Sequence, residues 1–454
     1  MMRSTKLKLI KATRLEQVYP AFSKEPLELH QLEFFEETSP ARGKKIRARL
    51  ARKFRNTPET DEQILFYGYK GCGKSTELRK LQSEIQDEFL VVNFSVEDEL
   101  DPVHIQYIEV FIVTMERLFA AALENDLNLS KEFLKSIQNW EQTKEIQDLK
   151  EKYFGGDVEA GLDMAFGIPY LQKFFAKFKA TAKSSISLKE TLKQVIEPRL
   201  SDLIAHCNAL ITEIRNQMQR KGRKDLLIIV EDMDKVPLDR ARDLFINYVG
   251  QLTQLRCNII FTFPLALRFS PYFKSIEPYF SEHIELPMLE VRDKHGTVSD
   301  IGLQTMRHLA AARMDLSLFE DVALLDKMIF DTGGCFRDFF NLIKEAAENA
   351  MDDNRPRINL RDYELARQSL KREYKASIAD YQPDGRKEKI TVEQFYGELA
   401  KIASNPNKAI PDETDIAMIL RQNLMVLGYN GEGWCDVHPI VRDILVERGL
   451  LPNP

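Results

Sequence analysis

Gly68-Tyr69-Lys70-Gly71-Cys72-Gly73-Lys74-Ser75-Thr76 follows the apolar run Ile64-Leu65-Phe66-Tyr67 and runs into the helical pattern Glu77-Leu78-Arg79-Lys80-Leu81. The spacing is a complete G-x-x-x-x-G-K-[ST], and a strand before it with a helix after it separates such a stretch from a chance match on a surface loop. Glycines let successive backbone N–H groups curl around phosphates, and the loop ends at a helix N-terminus carrying partial positive charge. Residues Gly68 to Thr76 are therefore expected to cradle a nucleoside triphosphate. The Lys74 ammonium would reach the β- and γ-phosphates, and the Ser75 hydroxyl would hold Mg²⁺.

Downstream, Phe89 to Phe94 reads as a buried strand followed by a helix from about Ile105 to Leu123. That is βαβ logic and predicts a parallel sheet with helices on both faces. The next strong strand, Leu226-Leu227-Ile228-Ile229-Val230, ends in Glu231-Asp232 and continues as Met233-Asp234-Lys235. Carboxylates at the end of a strand beside a phosphate loop can hold Mg²⁺ through its waters and polarise the attacking water. Which of Glu231 and Asp232 serves the metal and which the water is left open. A third strand, Cys257 to Pro264, follows a helix predicted from about Asp239 to Leu255, and Thr262 near its end can touch the γ-phosphate or its water. Later, Thr332-Gly333-Gly334-Cys335-Phe336-Arg337-Asp338 introduces an apolar-periodic helix to about Met351, with Arg337 pointing from its start.

GYKGCGKST, LLIIVEDMDK, NIIFTFP and GGCFRDFFNLIKEAAENA together resemble the Walker A, Walker B, sensor 1 and sensor 2 elements of AAA+ and STAND-type P-loop ATPases. The lid segment is most similar to the origin-recognition branch, and the chain also resembles ATPase subunits of bacterial anti-phage conflict systems. Ser39-Pro40-Ala41-Arg42-Gly43 resembles the segment that precedes the phosphate loop in that group and helps enclose the base. The resemblance covers roughly residues 35–125 and 190–370. It implies an α/β P-loop NTPase fold with a parallel sheet, a helical insertion, a helical lid and a C-terminal winged-helix-like module. It also implies ATP and Mg²⁺ as cofactors and an ATPase whose catalytic set is Lys74, Glu231, Asp232, Thr262 and Arg337. The metal set would be Ser75, Glu231 and Asp232. Two departures stand out: Glu231 occupies the place where the family usually has its magnesium aspartate, and no arginine finger can be assigned among Arg240, Arg242 and Arg268. An LSGGQ signature is absent, which disfavours the SMC-like and OLD-like ATPases.

A chain of 454 residues exceeds what one hydrophobic core usually serves, so two or three domains are expected. With 30% charged and 44% hydrophobic residues the composition is that of an ordinary globular protein. No stretch is apolar enough for a membrane span, and the basic start Met1 to Lys8 lacks the apolar core of a secretory signal. The five cysteines are odd in number and far apart, which predicts a reducing, cytoplasmic setting, and the seven histidines show no zinc-type pairing. A net charge of −6 argues against a coat for nonspecific nucleic-acid binding. The local exception is Arg42 to Arg55, where Ile46, Leu50 and Phe54 recur every fourth residue and predict an amphipathic helix with a basic outer face. A nucleotide-pocket wall or solvated helix is favoured there over a DNA patch.

The expected organisation is an N-terminal segment with the basic helix (1–56), an ATPase core (57–290), a helical lid (291–375) and a winged-helix-like domain (384–454). About 130 residues between the second strand and Walker B exceed a single crossover, which places an insertion at about 126–190. Helices are expected from about Leu129 to Tyr153 and from Leu188 to Gln219. Between them, Val158 to Phe166 and Ala176 to Lys183 alternate in polarity, which predicts an amphipathic β-hairpin over 157–184, with a helix from Tyr170 to Lys179 as the alternative. Its apolar face would serve either the insertion's own helices or a docking partner. In the C-terminal region, Asn430-Gly431 between apolar runs signals a hairpin. Residues 384–454 hold eight Lys/Arg against eleven Asp/Glu, and the candidate recognition helix begins Pro411-Asp412-Glu413-Thr414-Asp415, so packing on the core or on partners is favoured over DNA contact.

These features together predict a regulatory ATPase whose nucleotide state controls assembly, as a homo-oligomer or hetero-complex, or recruits a separate effector protein. An anti-phage role follows by analogy alone. The alternative is a DNA-binding AAA+ loader or remodeller of the origin-recognition or transposition type. No membrane partner is expected.

Overall fold

The computed structural model describes residues 9–57, 60–153, 167–184, 186–382, 389–411, 414–429 and 433–452. They form two compact units, one comprising Leu50–Tyr67 and Leu81–Ile284, the other Met1–Arg49, Gly68–Lys80 and Glu285–Pro454.

The first unit is organised by a five-stranded sheet of β1 (Gln63–Gly68), β2 (Phe89–Ser95), β3 (Asp225–Glu231), β4 (Asn258–Phe263) and β5 (Glu282–Leu286), in the order β2-β3-β4-β1-β5. The β2–β3, β3–β4 and β4–β1 pairs are parallel, with Ile228 opposite Ile259 and Leu65 opposite Phe261. Every residue of β1, β3 and β4 is buried, as unbroken apolar runs require when both sheet faces are covered. Because β3 and β4 run in parallel, their carboxyl ends bring Glu231 and Thr262 to the same edge. The helix predicted from about Asp239 to Leu255 is broken into Leu238–Arg242, a π-turn at Asp243–Asn247 and Val249–Leu252. The wide turn aims Phe245 edge-on at Phe263, 4.9 Å between centroids.

The insertion is helical. Tyr107–Glu124 is buried along most of its length, and Lys131–Glu141, Lys144–Tyr153, Ile168–Ser184, Ile186–Ile196 and Leu200–Arg220 follow. The predicted hairpin is corrected here: 154–166 lie outside the described residues, while Ile168–Ser184 is one helix rather than a strand. Tyr170, Leu171, Phe174, Phe175, Phe178 and Ala182 recur at helical spacing and form its buried face. The alternation from Ala176 to Lys183 is carried largely by alanine, a strong helix former. Phe175 stacks on Trp140 at 6.1 Å and on Phe119 at 5.6 Å, and Lys179 meets Glu116 at 3.2 Å and also pairs with Glu99. The apolar face is thus used within the insertion, not held out for a partner.

In the second unit the helices Asp300–Arg313, Ala323–Asp331, Phe336–Asp352 and Leu360–Ala376 follow the sheet segment. The C-terminal part continues with Val392–Ser404, Asp415–Gln422, the antiparallel pair β6 (Val426–Gly428) and β7 (Cys435–Val437), and Pro439–Glu447. Helix, helix, two-stranded wing and helix form the winged-helix-like module; Asn430-Gly431 falls outside the described residues. The basic helix spans Ile46–Asn56 with Ile46, Leu50 and Phe54 buried. Its cations are largely matched by acids: Arg47 lies 2.8 Å from Glu77, Lys53 3.0 Å from Glu62 and Arg55 2.5 Å from Glu88. All five cysteines are free and buried, and no helix among the described residues is long and apolar enough to cross a membrane.

Candidate nucleotide-binding site

The phosphate loop belongs to the second unit. Gly71 and Gly73 have φ of +76° and +96°, conformations that side-chain-bearing residues rarely adopt. Lys74 is only 8% exposed, and its Nζ donates to the carbonyls of Gly68 and Tyr69, both at 3.0 Å, so the ammonium lies inside the loop's own curve. Ser75 stands on the first turn of the Lys74–Ile85 helix, while the Thr76 hydroxyl accepts from the Leu27 N–H at 3.4 Å. A Cβ built on Gly71 would lie 2.6 Å from the Arg337 Cβ. Gly71 and Arg337, far apart in sequence, are therefore in contact. A buried cation, a helix N-terminus and left-handed glycines make a donor set that fits a polyphosphate. Among the described residues no group of three His, Cys, Asp or Glu could hold a metal by itself.

The C-terminal module, expected from its charge to pack on the core or on partners, reaches the same loop through Gly428. A Cβ on Gly428 in β6 would lie 2.7 Å from the Tyr69 hydroxyl and 3.0 Å from its Cε2, so the ring of a phosphate-loop residue rests on that glycine. Tyr429 donates to the Gly333 carbonyl at 2.8 Å, and the Trp434 indole N–H donates to Glu290 at 3.2 Å. Next to Arg337, Asp338 is 4% exposed; Tyr374 donates to its Oδ2 at 2.6 Å, and His438 Nε2 lies 3.2 Å from the same oxygen. Burial alone would raise the Asp338 pKa, but His438 and Tyr374 outweigh it and hold the carboxyl below its ordinary 3.8.

A depressed carboxylate pKa contributes stability above the unfolded value, and that contribution disappears as pH falls through the folded value. Asp338→Asn is therefore expected to cost about 1.5–3 kcal/mol at pH 7, the scale of a hydrogen bond to a charged group. The gap from wild type should close as pH falls below 4. Urea unfolding from pH 7 to pH 3 checks this, and a gap that stays constant with pH would refute it.

In the first unit, Glu231 ends β3 and is 1% exposed. Asp232 follows with φ of +66°, in the left-handed region that non-glycine residues seldom occupy and that often marks a functional turn. Both of its oxygens are engaged: Ser95 donates to Oδ2 at 2.6 Å, and Lys235 lies 2.9 Å from Oδ1. Burial draws the Lys235 pKa down, but Glu97 and Asp232 more than reverse this. Thr262 is turned inward, accepting from the Met233 N–H at 3.0 Å and donating to the Val230 carbonyl at 3.4 Å, and so ties the ends of β3 and β4 together. Of the three finger candidates, Arg268 lies 4.3 Å from the Phe273 ring centre and donates to the Tyr67 hydroxyl at 3.1 Å. Arg240 lies 3.3 Å from Asp239.

A parallel sheet with a phosphate loop directly after β1 and acids closing β3 defines an α/β P-loop-type fold. No family model and no curated protein matches the sequence. Similar solved structures include the ORC2 protein of Aeropyrum pernix in its ADPNP-ADP complexes, at 9% identity and a TM-score of 0.39 over 95% of this chain and 96% of that one. The Walker-type ATPase PABY2304 of Pyrococcus abyssi shares 11% identity at 0.40, over 94% and 99% of the two chains. The Aeropyrum pernix ORC1 protein in complex with DNA shares 13% at 0.37, over 94% and 99%. Likeness at this level leaves the functional reading to the chain's own residues.

Proposed function

We propose that this protein is an AAA+/STAND-type regulatory ATPase that binds and hydrolyses ATP with Mg²⁺ and whose nucleotide state controls assembly or the recruitment of a separate effector protein. The observation that carries this reading is the phosphate loop itself, with Lys74 buried in its curve, Arg337 against Gly71 and the C-terminal module against Tyr69. Lys74 exchanges two loop carbonyls for phosphate oxygens, and Arg337 reads the far end of the nucleotide. Mg²⁺, when bound, neutralises phosphate charge and orients the reacting groups. Glu231, the last residue of β3, and Asp232 after it supply the two carboxylates, one for the metal and one for the attacking water. A change at the loop passes directly to Gly428 and to the turn before Arg337, which is how nucleotide state would reach a partner-binding surface. An anti-phage setting remains the analogy that the sequence motifs suggest. The alternative, a DNA loader or remodeller, has less support, because acids match Arg47, Lys53 and Arg55 on the helix that would meet phosphates.

Mass photometry and phosphate release on the same samples, with ADP and with ATP plus magnesium, test the proposal. ATP-dependent assembly with hydrolysis is expected. Glu231→Gln should bind ATP while phosphate release falls about 100-fold or more, the scale of a lost acid–base or metal-side group. A fixed mass with no phosphate release would refute the switch. Salt-sensitive duplex binding lost on charge reversal in the 46–56 helix would favour the loader instead.

A further inference from the structure

We infer that Arg42 is a positioning residue of the phosphate loop, fixing the orientation of the peptide between Cys72 and Gly73; this rests on the nucleotide reading above. Arg42 ends the short Ser39–Arg42 helix and is 1% exposed, an unusual place for a guanidinium. Its Nη2 donates to the Cys72 carbonyl at 2.5 Å, its Nη1 to the Pro287 carbonyl and its Nε to the Thr38 hydroxyl at 2.9 Å. All three acceptors are neutral. The guanidinium carbon also lies 5.4 Å from the ring centre of Phe336, the first residue of the helix that carries Arg337. The Thr38 hydroxyl passes the tie on, donating to Glu77 at 2.9 Å in the first turn of the phosphate-loop helix.

The consequence follows from peptide geometry. In a planar trans peptide the C=O of one residue and the N–H of the next point in opposite directions. Holding the Cys72 carbonyl on Arg42 therefore turns the Gly73 N–H away from Arg42. The φ of +96° at Gly73 makes this peptide one that could otherwise flip, since glycine accepts either hand. A Cβ at Gly73 would lie 3.3 Å from Phe336, so the peptide lies close to the ring that also receives the Arg42 guanidinium. Arg42 thus selects the rotamer of a loop amide and links that choice to the start of the Arg337 helix. Lysine cannot replace it, because an ammonium offers no planar fork to three acceptors.

The test is a titration with mant-ADP under native conditions, paired with urea unfolding, on wild type, Arg42→Lys, Arg42→Ala and Thr38→Val. Arg42→Lys and Arg42→Ala are expected to raise the dissociation constant about tenfold or more, the scale of a lost charge-assisted hydrogen bond network. A residue that merely stabilises the fold would lower the urea midpoint and leave the affinity of the folded protein unchanged, and that result overturns the inference. If Arg42→Ala does not fold, Thr38→Val decides: it removes the oxygen that receives Nε and should weaken binding about threefold. Thr38→Val binding as wild type would overturn the inference. Absence of mant-ADP binding by wild type would overturn the nucleotide reading as well, whereas wild-type binding with unchanged variants overturns this inference alone.

Discussion

Lys74→Ala is expected to abolish measurable nucleotide binding, raising the dissociation constant for ATP about 100-fold or more while the far-UV circular dichroism stays native. The Nζ that the substitution removes is buried and bridges the Gly68 and Tyr69 carbonyls at 3.0 Å. Charge-assisted hydrogen bonds in a site shielded from water are roughly twice as strong as neutral ones, and several are lost together with the cation that offsets phosphate charge. Isothermal titration with ATP and magnesium checks it. Binding retained within about fivefold would mean that the loop is not the phosphate site, since a shift that small is little more than one ordinary hydrogen bond.

The second large effect concerns the turn that delivers Arg337. Gly334 has φ of +82°, and a Cβ there would fall 1.9 Å from the Leu289 carbonyl oxygen. Both the backbone conformation and a rigid neighbour oppose a side chain, so Gly334→Ala should cost about 3–5 kcal/mol of stability and shift Arg337 away from Gly71. Gly296 is the control: its φ is +85°, yet nothing lies within 4 Å of its built Cβ. Gly296→Ala should therefore show the conformational cost alone, about 1 kcal/mol. Equal urea midpoints for the two variants would show that the close approach to Leu289 does not matter.

The elements that could be read from sequence are those whose causes are local. Strands β1 to β4 were legible because an unbroken apolar run has one simple fate in a parallel sheet. The helix from Phe336 was legible because its apolar spacing is long and a glycine pair starts it. The hairpin failed because four alternating residues rich in alanine weigh less than the Tyr170-to-Phe178 ring spacing that precedes them. The helix after β3 was over-extended because a π-turn is set by where Phe245 must pack, not by a local signal. Arg42 looked like one more cation on a basic face; its burial is decided by carbonyls at residues 72 and 287. The roles of Asp338, His438, Tyr374 and Tyr429 are not legible in the sequence for the same reason, since each draws its meaning from a partner distant in the chain. Gly428 carried a faint signal, as a glycine in a strand can mark a close approach.

Tyr69 emerges from the ribosome long before the glycine on which its ring rests. At about 5–20 residues per second, the interval before Gly428 is made lasts tens of seconds. During that time the phosphate loop lacks its aromatic contact, and the Gly333 carbonyl lacks the Tyr429 hydroxyl. A nascent chain therefore carries the whole nucleotide motif without its final surroundings, and the mature loop geometry becomes a property acquired late in synthesis.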